Sequence, residues 1–281
     1  MERAHIAIDL GAESGRVVAG PLQDPVVLHR FPTLSVSLRG SRYWDFPYIF
    51  HEIKVGLKKA IETYGDRLVS LGVDTWGSDY GLLDAEGDLI SLPYHYRDPR
   101  TDTAMKDFFK NIMGWERLYD ITGIQRHQFN TCFQLYAHTR AKGEQLSRAS
   151  RLLTVPDLLN YWLSGTMVNE YTEASTGALA DAGTRNWAWE VIDALSVPRS
   201  LFCPMVQSDT VVGELSGDLV NELGAPAGLR VVAPACHDTG SAVAACPAGG
   251  KIGHTYLQVP GLYWVLKTRN PDLTPLPVIL A

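Results

Sequence analysis

The sequence predicts an α/β domain built on one mixed sheet with helices on both faces. Two observations carry this. Apolar runs follow the order strand, strand, strand, helix, strand, then, after a helical stretch, strand and helix again. Three of the strand ends also bear carboxylates, at Asp9, at Asp74 with Asp79, and at Asp238. Ligands in open α/β sheets bind beyond the carboxyl ends of strands.

The opening reads as a β-meander. Ile6-Ala7-Ile8, Arg16–Ala19 and Val26–Phe31 are strands, joined by a glycine-bearing turn over Asp9–Gly15 and a turn at Asp24-Pro25. Phe46, Ile49, Phe50, Ile53, Leu57, Ala60, Ile61 and Tyr64 then keep helical spacing, with Asp45 as the cap and Gly65 as the stop. Leu68–Val73 is a strand of the buried type that runs into Asp74–Asp79. Tyr80–Asp84 and Asp88–Leu92 are expected to form a hairpin around Ala85-Glu86-Gly87. From Thr101 to Leu163 the pattern is mostly helical, ending in a short helix over Asp157–Leu163 after Pro156. Leu229–Ala233 is a strand, and Cys236–Gly240 leads from it into a helix over Ser241–Cys246.

Composition narrows the function classes. The 281 residues allow one large domain or two modest ones, and 46% hydrophobic with 20% charged residues is globular. Twenty-five basic against 31 acidic residues give a net charge of −6, which counts against nucleic acid or an anionic membrane as partner. No run approaches the roughly 18–20 apolar residues of a membrane span. Asp9 interrupts the first apolar stretch, so the start is not read as a secretory signal. Cys132, Cys203, Cys236 and Cys246 make no CxxC pair and are expected to be reduced thiols of a cytoplasmic protein.

Three segments can carry chemistry. In Asp9-Leu10-Gly11-Ala12-Glu13-Ser14-Gly15-Arg16, two glycines bring backbone N–H groups towards an anion, Ser14 adds a hydroxyl and Arg16 a cation. Asp9 could hold Mg²⁺ through water. The segment lacks the P-loop pattern and GxGxxG, and an ordinary hairpin turn is the competing reading. Glu13 would repel a phosphate unless it points to solvent, which is the expectation. In Asp74–Asp79, Trp76 beside Gly77 makes a flat apolar wall near carboxylates that accept from hydroxyls, which suits a sugar; a structural turn with a core Trp competes. In His237-Asp238, a carboxylate beside an imidazole suits a general base for a hydroxyl, with Thr239 and the helix start at hand for an oxyanion; a plain helix N-cap competes.

Other residues are set aside. Trp187 and Trp189 read as packing of a short connection, and Arg97, Arg100 and Lys106 as a solvated helix start. His51, His95, His127 and His138 share no ligand spacing and are assigned no chemistry.

In order along the chain, these segments resemble the FGGY carbohydrate kinases, over Ile6 to Ala248. Ile8–Val17 is similar to that family's first phosphate hairpin, and Gly72–Tyr80 to the sugar-site strand end of members acting on L-rhamnulose. Tyr96–Thr101, Gly123–Gln125, Phe129–Thr131, Pro156–Leu159 and Asn169–Thr176 look like further family segments. The resemblance implies an actin-like, ribonuclease-H-like fold and transfer of the ATP γ-phosphoryl group to the 1-hydroxyl of L-rhamnulose. By that analogy Asp238 takes the hydroxyl proton, while Gly77, His237 and Thr239 contact the ketose beside Trp76 and Asp79. Ala12, Glu13, Ser14, Gly15 and Arg16 would border the ATP phosphates, and Asp9 would sit near Mg²⁺. Fuculose or xylulose as the sugar, or a non-catalytic actin-like binding domain, are the alternatives.

Residues 1–248 are therefore expected to be the sugar-side domain, and 249–281 an aberrant tail where the ATP-binding second domain would begin. The resemblance implies a continuation like NWAYLSSGTWSLLGIE after Gly250, whereas the chain reads Lys251-Ile252-Gly253-His254 onward. Reading from the third base of the Lys251 codon gives AAT, TGG, GCA and TAC, which is Asn-Trp-Ala-Tyr, and permitted codons spell the remainder through the Glu. That agreement points to a shift of frame near residue 250. A chain altered in this way is expected to have little kinase activity and to aggregate, because the apolar face that meets the second domain is exposed.

Overall fold

A computed structural model describes residues 2–245 and, as backbone, 254–259 and 262–267. The chain begins with β1 (Ala4–Leu10), β2 (Ser14–Gly20) and β3 (Val26–Pro32), followed by a small hairpin of β4 (Ser35–Leu38) and β5 (Ser41–Trp44). Next come α1 (Phe46–Tyr64), β6 (Leu68–Thr75) and β7 (Tyr80–Leu83). The helical stretch holds α2 (Ala104–Asn111), α3 (Trp115–Thr122), α4 (Thr131–Arg148), β8 (Arg151–Thr154) and α5 (Val155–Ser164). Short elements follow: β9 (Asn169–Glu170), α6 (Tyr171–Thr176), β10 (Ala180–Asp181), β11 (Asn186–Trp187), α7 (Trp189–Ala194) and β12 (Met205–Val206). Then come β13 (Thr210–Glu214), α8 (Gly217–Leu223), β14 (Arg230–Ala233), α9 (Asp238–Ala244) and the paired strands β15 (His254–Val259) and β16 (Leu262–Lys267).

The main sheet has six strands in the order β13-β14-β6-β1-β2-β3. Its middle three, β14, β6 and β1, run parallel, and β2, β3 and β13 are antiparallel to their neighbours. The mixed sheet and the meander expected at the start are both present. Helix α1 begins where Asp45 accepts from the Tyr48 amide at 3.2 Å, and it packs on β1, β2 and β3. The contact is close: a β-carbon on Gly56 would fall 2.3 Å from the Val17 side chain. Helix α5 packs against β6, β13 and β14. Ile6, Ile8, Leu10, Ile49, Ile53, Leu71, Val73, Leu158 and Val231 form the main core, each side chain worth about 1.5–3 kcal/mol on burial. A second core, around Phe108, Phe133, Leu135 and Ile192, joins the helical segments. Trp187 belongs to it, buried, with its indole N–H donated to the Cys203 carbonyl at 2.9 Å.

Two expectations are corrected, and a third falls mostly outside the described residues. The Tyr80–Asp84/Asp88–Leu92 hairpin does not form the main pairing; β7 pairs antiparallel with β8, a strand hidden in a stretch read as helical. The reason is burial: Leu82, Leu83, Leu152 and Leu153 are all buried, whereas Asp88–Leu92 keeps the Leu83–Leu89 bridge, an Ile90 N–H bond to the Leu82 carbonyl and an Asp84 N–H bond to the Asp88 carbonyl. The last described helix starts at Asp238, not Ser241. Position 237, not 238, is therefore its N-cap. The tail expected from 249 lies outside the described residues, including Pro271, Pro275 and Pro277, except for the β15–β16 backbone, which is paired.

Candidate functional site

The parallel trio places three acidic strand ends side by side. Asp9 and Asp74 are register partners on β1 and β6. The pairing continues past the strands: the Thr75 amide donates to the Cys236 carbonyl at 2.8 Å and the Trp76 amide to that of Leu10 at 3.0 Å. Residues 76–78 and 237–239 thus leave the sheet next to each other. Above them lies a cleft of about 750 Å³.

Eight of the expected site residues line this one cleft: Ala12, Glu13 and Ser14 from the β1–β2 turn, Trp76 and Gly77 after β6, and His237, Asp238 and Thr239 at the start of α9. Glu13 is exposed and borders the cleft. Gly15 is buried behind the turn, and neither it nor Asp9 nor Arg16 is among the lining residues. Arg16 is not a free cation. It faces Asp9 across the β1–β2 register, and its Nε donates to the Asp9 carboxylate at 2.5 Å.

Asp79 is the clearest correction. It is fully buried and absent from the cleft lining. Its Oδ2 accepts from the Trp44 indole at 2.6 Å, the Trp76 indole at 3.1 Å and the Tyr96 amide at 3.0 Å, while Oδ1 accepts from Gln134 at 2.8 Å. Burial pushes its pKa up to about 6 despite these donors. Asp79 is thus the anchor behind the Trp76 wall. Trp76 spends its N–H on this anchor and stacks 4.0 Å from Trp44, which leaves an apolar surface for the cleft.

At the other wall, Asp238 Oδ1 accepts from the Thr239 amide at 2.5 Å and the Thr239 hydroxyl at 3.0 Å. Its side chain is 39% exposed, so the second oxygen is open to a ligand. His237 Nε2 lies 3.4 Å from Asp238 Oδ1. Burial lowers the His237 pKa and outweighs the pull of Asp238, so this is a contact with a neutral imidazole rather than an ion pair. Behind both, burial holds the Asp74 carboxyl well above the usual range, reinforced by Asp9 and Asp238 and opposed by Arg16. Asp74 Oδ1 has no hydrogen-bond partner among the described residues.

These oxygens suit a hard cation, but among the described residues no three acidic, His or Cys side chains gather into a metal cage. Mg²⁺ is held by one or two carboxylates, waters and substrate phosphates, so a protein cage is not required for it.

Further lining comes from segments matched to the family but assigned no site role, and from His127 between them. Tyr96, Arg97, Ile124, Gln125, His127 and Phe129 close the far side. His127 stacks on Phe129 at 5.0 Å with an interplanar angle of 2°. Its Nε2 is buried with no partner among the described residues. Arg97, read as part of a solvated helix start, borders the cleft, whereas Arg100 lies 3.8 Å over the Tyr94 ring and donates to Gln134 at 2.7 Å. Gly123–Asn130 carried a signal that isolated residues did not: a polar and aromatic loop just before a helix, fixed by Asn130 Oδ1 accepting from the His127 amide at 2.6 Å.

Fold and cleft define an α/β binding domain of the actin-like ATPase type. Residues 4–245 match the N-terminal domain of the FGGY family of carbohydrate kinases, and the chain belongs to that family. It is 40% identical over 251 residues to a rhamnulokinase of Oceanobacillus iheyensis, covering 88% of this chain and 53% of that protein. To a rhamnulokinase of Bacillus subtilis it is 35% identical over 278 residues, 97% of this chain and 56% of the relative. The chain spans about half the length of the curated relatives it matches. Among solved structures, a xylulose kinase from Lactobacillus acidophilus superposes with a TM-score of 0.79 at 16% identity, covering 86% of this chain and 50% of that one. Plasmodium falciparum glycerol kinase with ADP gives 0.75 at 14%, covering 86% and 50%.

Proposed function

We propose that this chain is the sugar-side half of an ATP-dependent carbohydrate kinase, and that the sugar is L-rhamnulose, phosphorylated on its 1-hydroxyl. The observation that carries this reading is that the Asp238 carboxylate and the Gly11–Ser14 turn border the same cleft. Family membership supports sugar phosphorylation, and the rhamnulokinase relatives support this sugar over xylulose or fuculose.

Phosphoryl transfer needs positioning and charge neutralisation more than covalent help. Asp238, steadied by Thr239 on one oxygen, accepts the 1-hydroxyl proton on the other as the new oxygen–phosphorus bond forms and ADP departs. Neutral His237 and the apolar face of Trp76 hold the ketose, and Gly77 lets the His237 ring close against the cleft floor beside it. The turn at residues 12–14, with the Ser14 hydroxyl, receives the phosphate end of ATP. Mg²⁺, when bound, would neutralise the phosphate oxygens, with Asp9 as the residue that would hold it through water. An ATP-consuming kinase with buried free thiols at Cys132, Cys203 and Cys236 fits the cytoplasm.

We further take 249–281 as an out-of-frame reading of the start of the second domain. The tests are separate. Calorimetry on this chain is expected to give binding of L-rhamnulose in preference to L-fuculose and D-xylulose; no ketose binding overturns the sugar-site reading. A gene restored in frame at codon 250 is expected to release ADP with L-rhamnulose, and the unrestored chain to release little. A nucleotide sequence whose only open frame downstream of codon 250 is the present one overturns the frameshift.

A further inference from the structure

The two loops that face each other across the floor of the cleft, 76–78 and 236–238, share no strand. Both are tied to one short segment. The Glu173 carboxyl, fully buried on α6, accepts from the Ser78 amide at 2.9 Å. Three residues earlier, Glu170 Oε2 accepts from the Cys236 amide at 3.2 Å and from the Thr172 amide at 2.9 Å and hydroxyl at 2.5 Å. The Thr172 hydroxyl oxygen in turn accepts from the His237 amide at 3.2 Å. Ser78 needs such a clamp. Its φ of +81° lies in the left-handed region, which a serine adopts at a cost. Thr131 and Gln134 donate to its carbonyl at 2.8 and 3.1 Å, so both sides of the Ser78 peptide are held.

We infer that Glu170, Thr172 and Glu173 are positioning residues, which hold the Gly77 and His237 loops against each other as one cleft floor by gripping backbone amides on both. The inference rests on the reading of that floor as part of the ketose site. The two loops meet closely: a β-carbon on Gly77 would fall 2.6 Å from Thr176 Cγ2, on the same helix α6, and 2.9 Å from His237 Nε2. One six-residue helix therefore touches both walls and fastens both loops. Glu173 grips as a neutral acid. Burial raises its pKa well above the usual value, with Asp157, Asp238 and Glu170 adding to the rise. Its second oxygen has no partner among the described residues.

The experiment uses this chain and three variants, Glu173→Ala, Glu173→Gln and Thr172→Val. It has two readouts: hydrogen exchange of the Ser78 and His237 amides, and the calorimetric affinity for L-rhamnulose. Glu173→Ala is expected to speed exchange at Ser78 and to weaken the ketose about tenfold, the worth of one lost buried bond. Glu173→Gln keeps an acceptor oxygen and is expected to stay within about twofold on both. Thr172→Val is expected to free the His237 amide and weaken the ketose by a similar factor. Wild-type affinity in Glu173→Ala with a freely exchanging Ser78 amide overturns the inference. So does equal damage from Gln and Ala. If the wild-type chain binds no ketose, the sugar-site reading fails, while the exchange arm still reports on the clamp: unchanged Ser78 exchange in Glu173→Ala sinks it alone.

Discussion

Gly77 lies against the imidazole of His237, so close that a β-carbon would come within 2.9 Å of Nε2. The two residues follow strands β6 and β14 and lie more than 150 positions apart in sequence, yet they share the floor of one cleft.

Gly77→Ala should therefore displace His237 and Thr176 together. Overpacking of this kind costs about 1–3 kcal/mol. The expected outcome is a roughly tenfold or larger loss of ketose affinity by calorimetry, with the thermal transition still cooperative. Unchanged affinity would mean that the floor is not where the sugar sits.

Asp238→Asn keeps the Thr239 contacts but cannot take a proton. In the frame-restored enzyme turnover should fall by about 10²–10⁴, the usual worth of a positioned base. The KM for the ketose should change by less than about threefold. Loss of affinity with turnover preserved would assign Asp238 to binding instead.

Asp79→Ala removes the common acceptor of two buried indoles, one amide and Gln134. Each orphaned donor costs about 1–3 kcal/mol. Urea unfolding should show a loss of about 3 kcal/mol or more, and the tryptophan emission should shift as Trp44 and Trp76 loosen. A variant as stable as the parent would refute the anchoring role.

Asp157 gives the fold a pH dependence. Burial pushes its pKa up to about 8, helped by Glu170 and resisted by its bonds to Thr154, the Glu170 amide and Asn169. Unfolded, an Asp titrates near about 3.9. The folded form thus keeps a proton that the unfolded form gives up. The stabilisation is full below about pH 4 and is lost as pH rises towards 8, at about 1.4 kcal/mol per unit between pH 5 and 7. Burial raises Asp74 and Glu173 in the same direction, so the slope should exceed that of one group. Asp157→Asn should reduce the slope of urea-derived stability against pH by about 1.4 kcal/mol per unit; an unaltered slope would exclude Asp157 as its source.

What the sequence disclosed depended on whether the signal was local. The meander, α1 with its Asp45 cap and the apolar β6 and β14 were legible because periodicity and turn residues state them directly. So were the cleft residues at strand ends, since topology alone carries Gly77 and His237–Thr239 there. Arg16 and Asp79 were misread because a charge near a site looks available until its partner is known, and Asp9 and Trp44 come from other strands. Strand β8 escaped notice because its four residues, Arg151–Thr154, sit between helices and find their mate about 70 positions away. His127 and Phe129 gave no spacing to read; only the fold of 123–130 turns them towards the cavity.

The knot of bonds on Asp79 has a bearing on how this pocket can be altered. Trp44, Trp76, Tyr96 and Gln134 all depend on a single carboxylate, so any exchange there unsettles its companions. Phe129 is drawn into the same knot, packing on Tyr96 and accepting from Gln134 at 2.9 Å, and His127 stacks on it. An engineer or a drifting lineage seeking a different preference would find more freedom at Ile124 and Gln125, which line the same cleft.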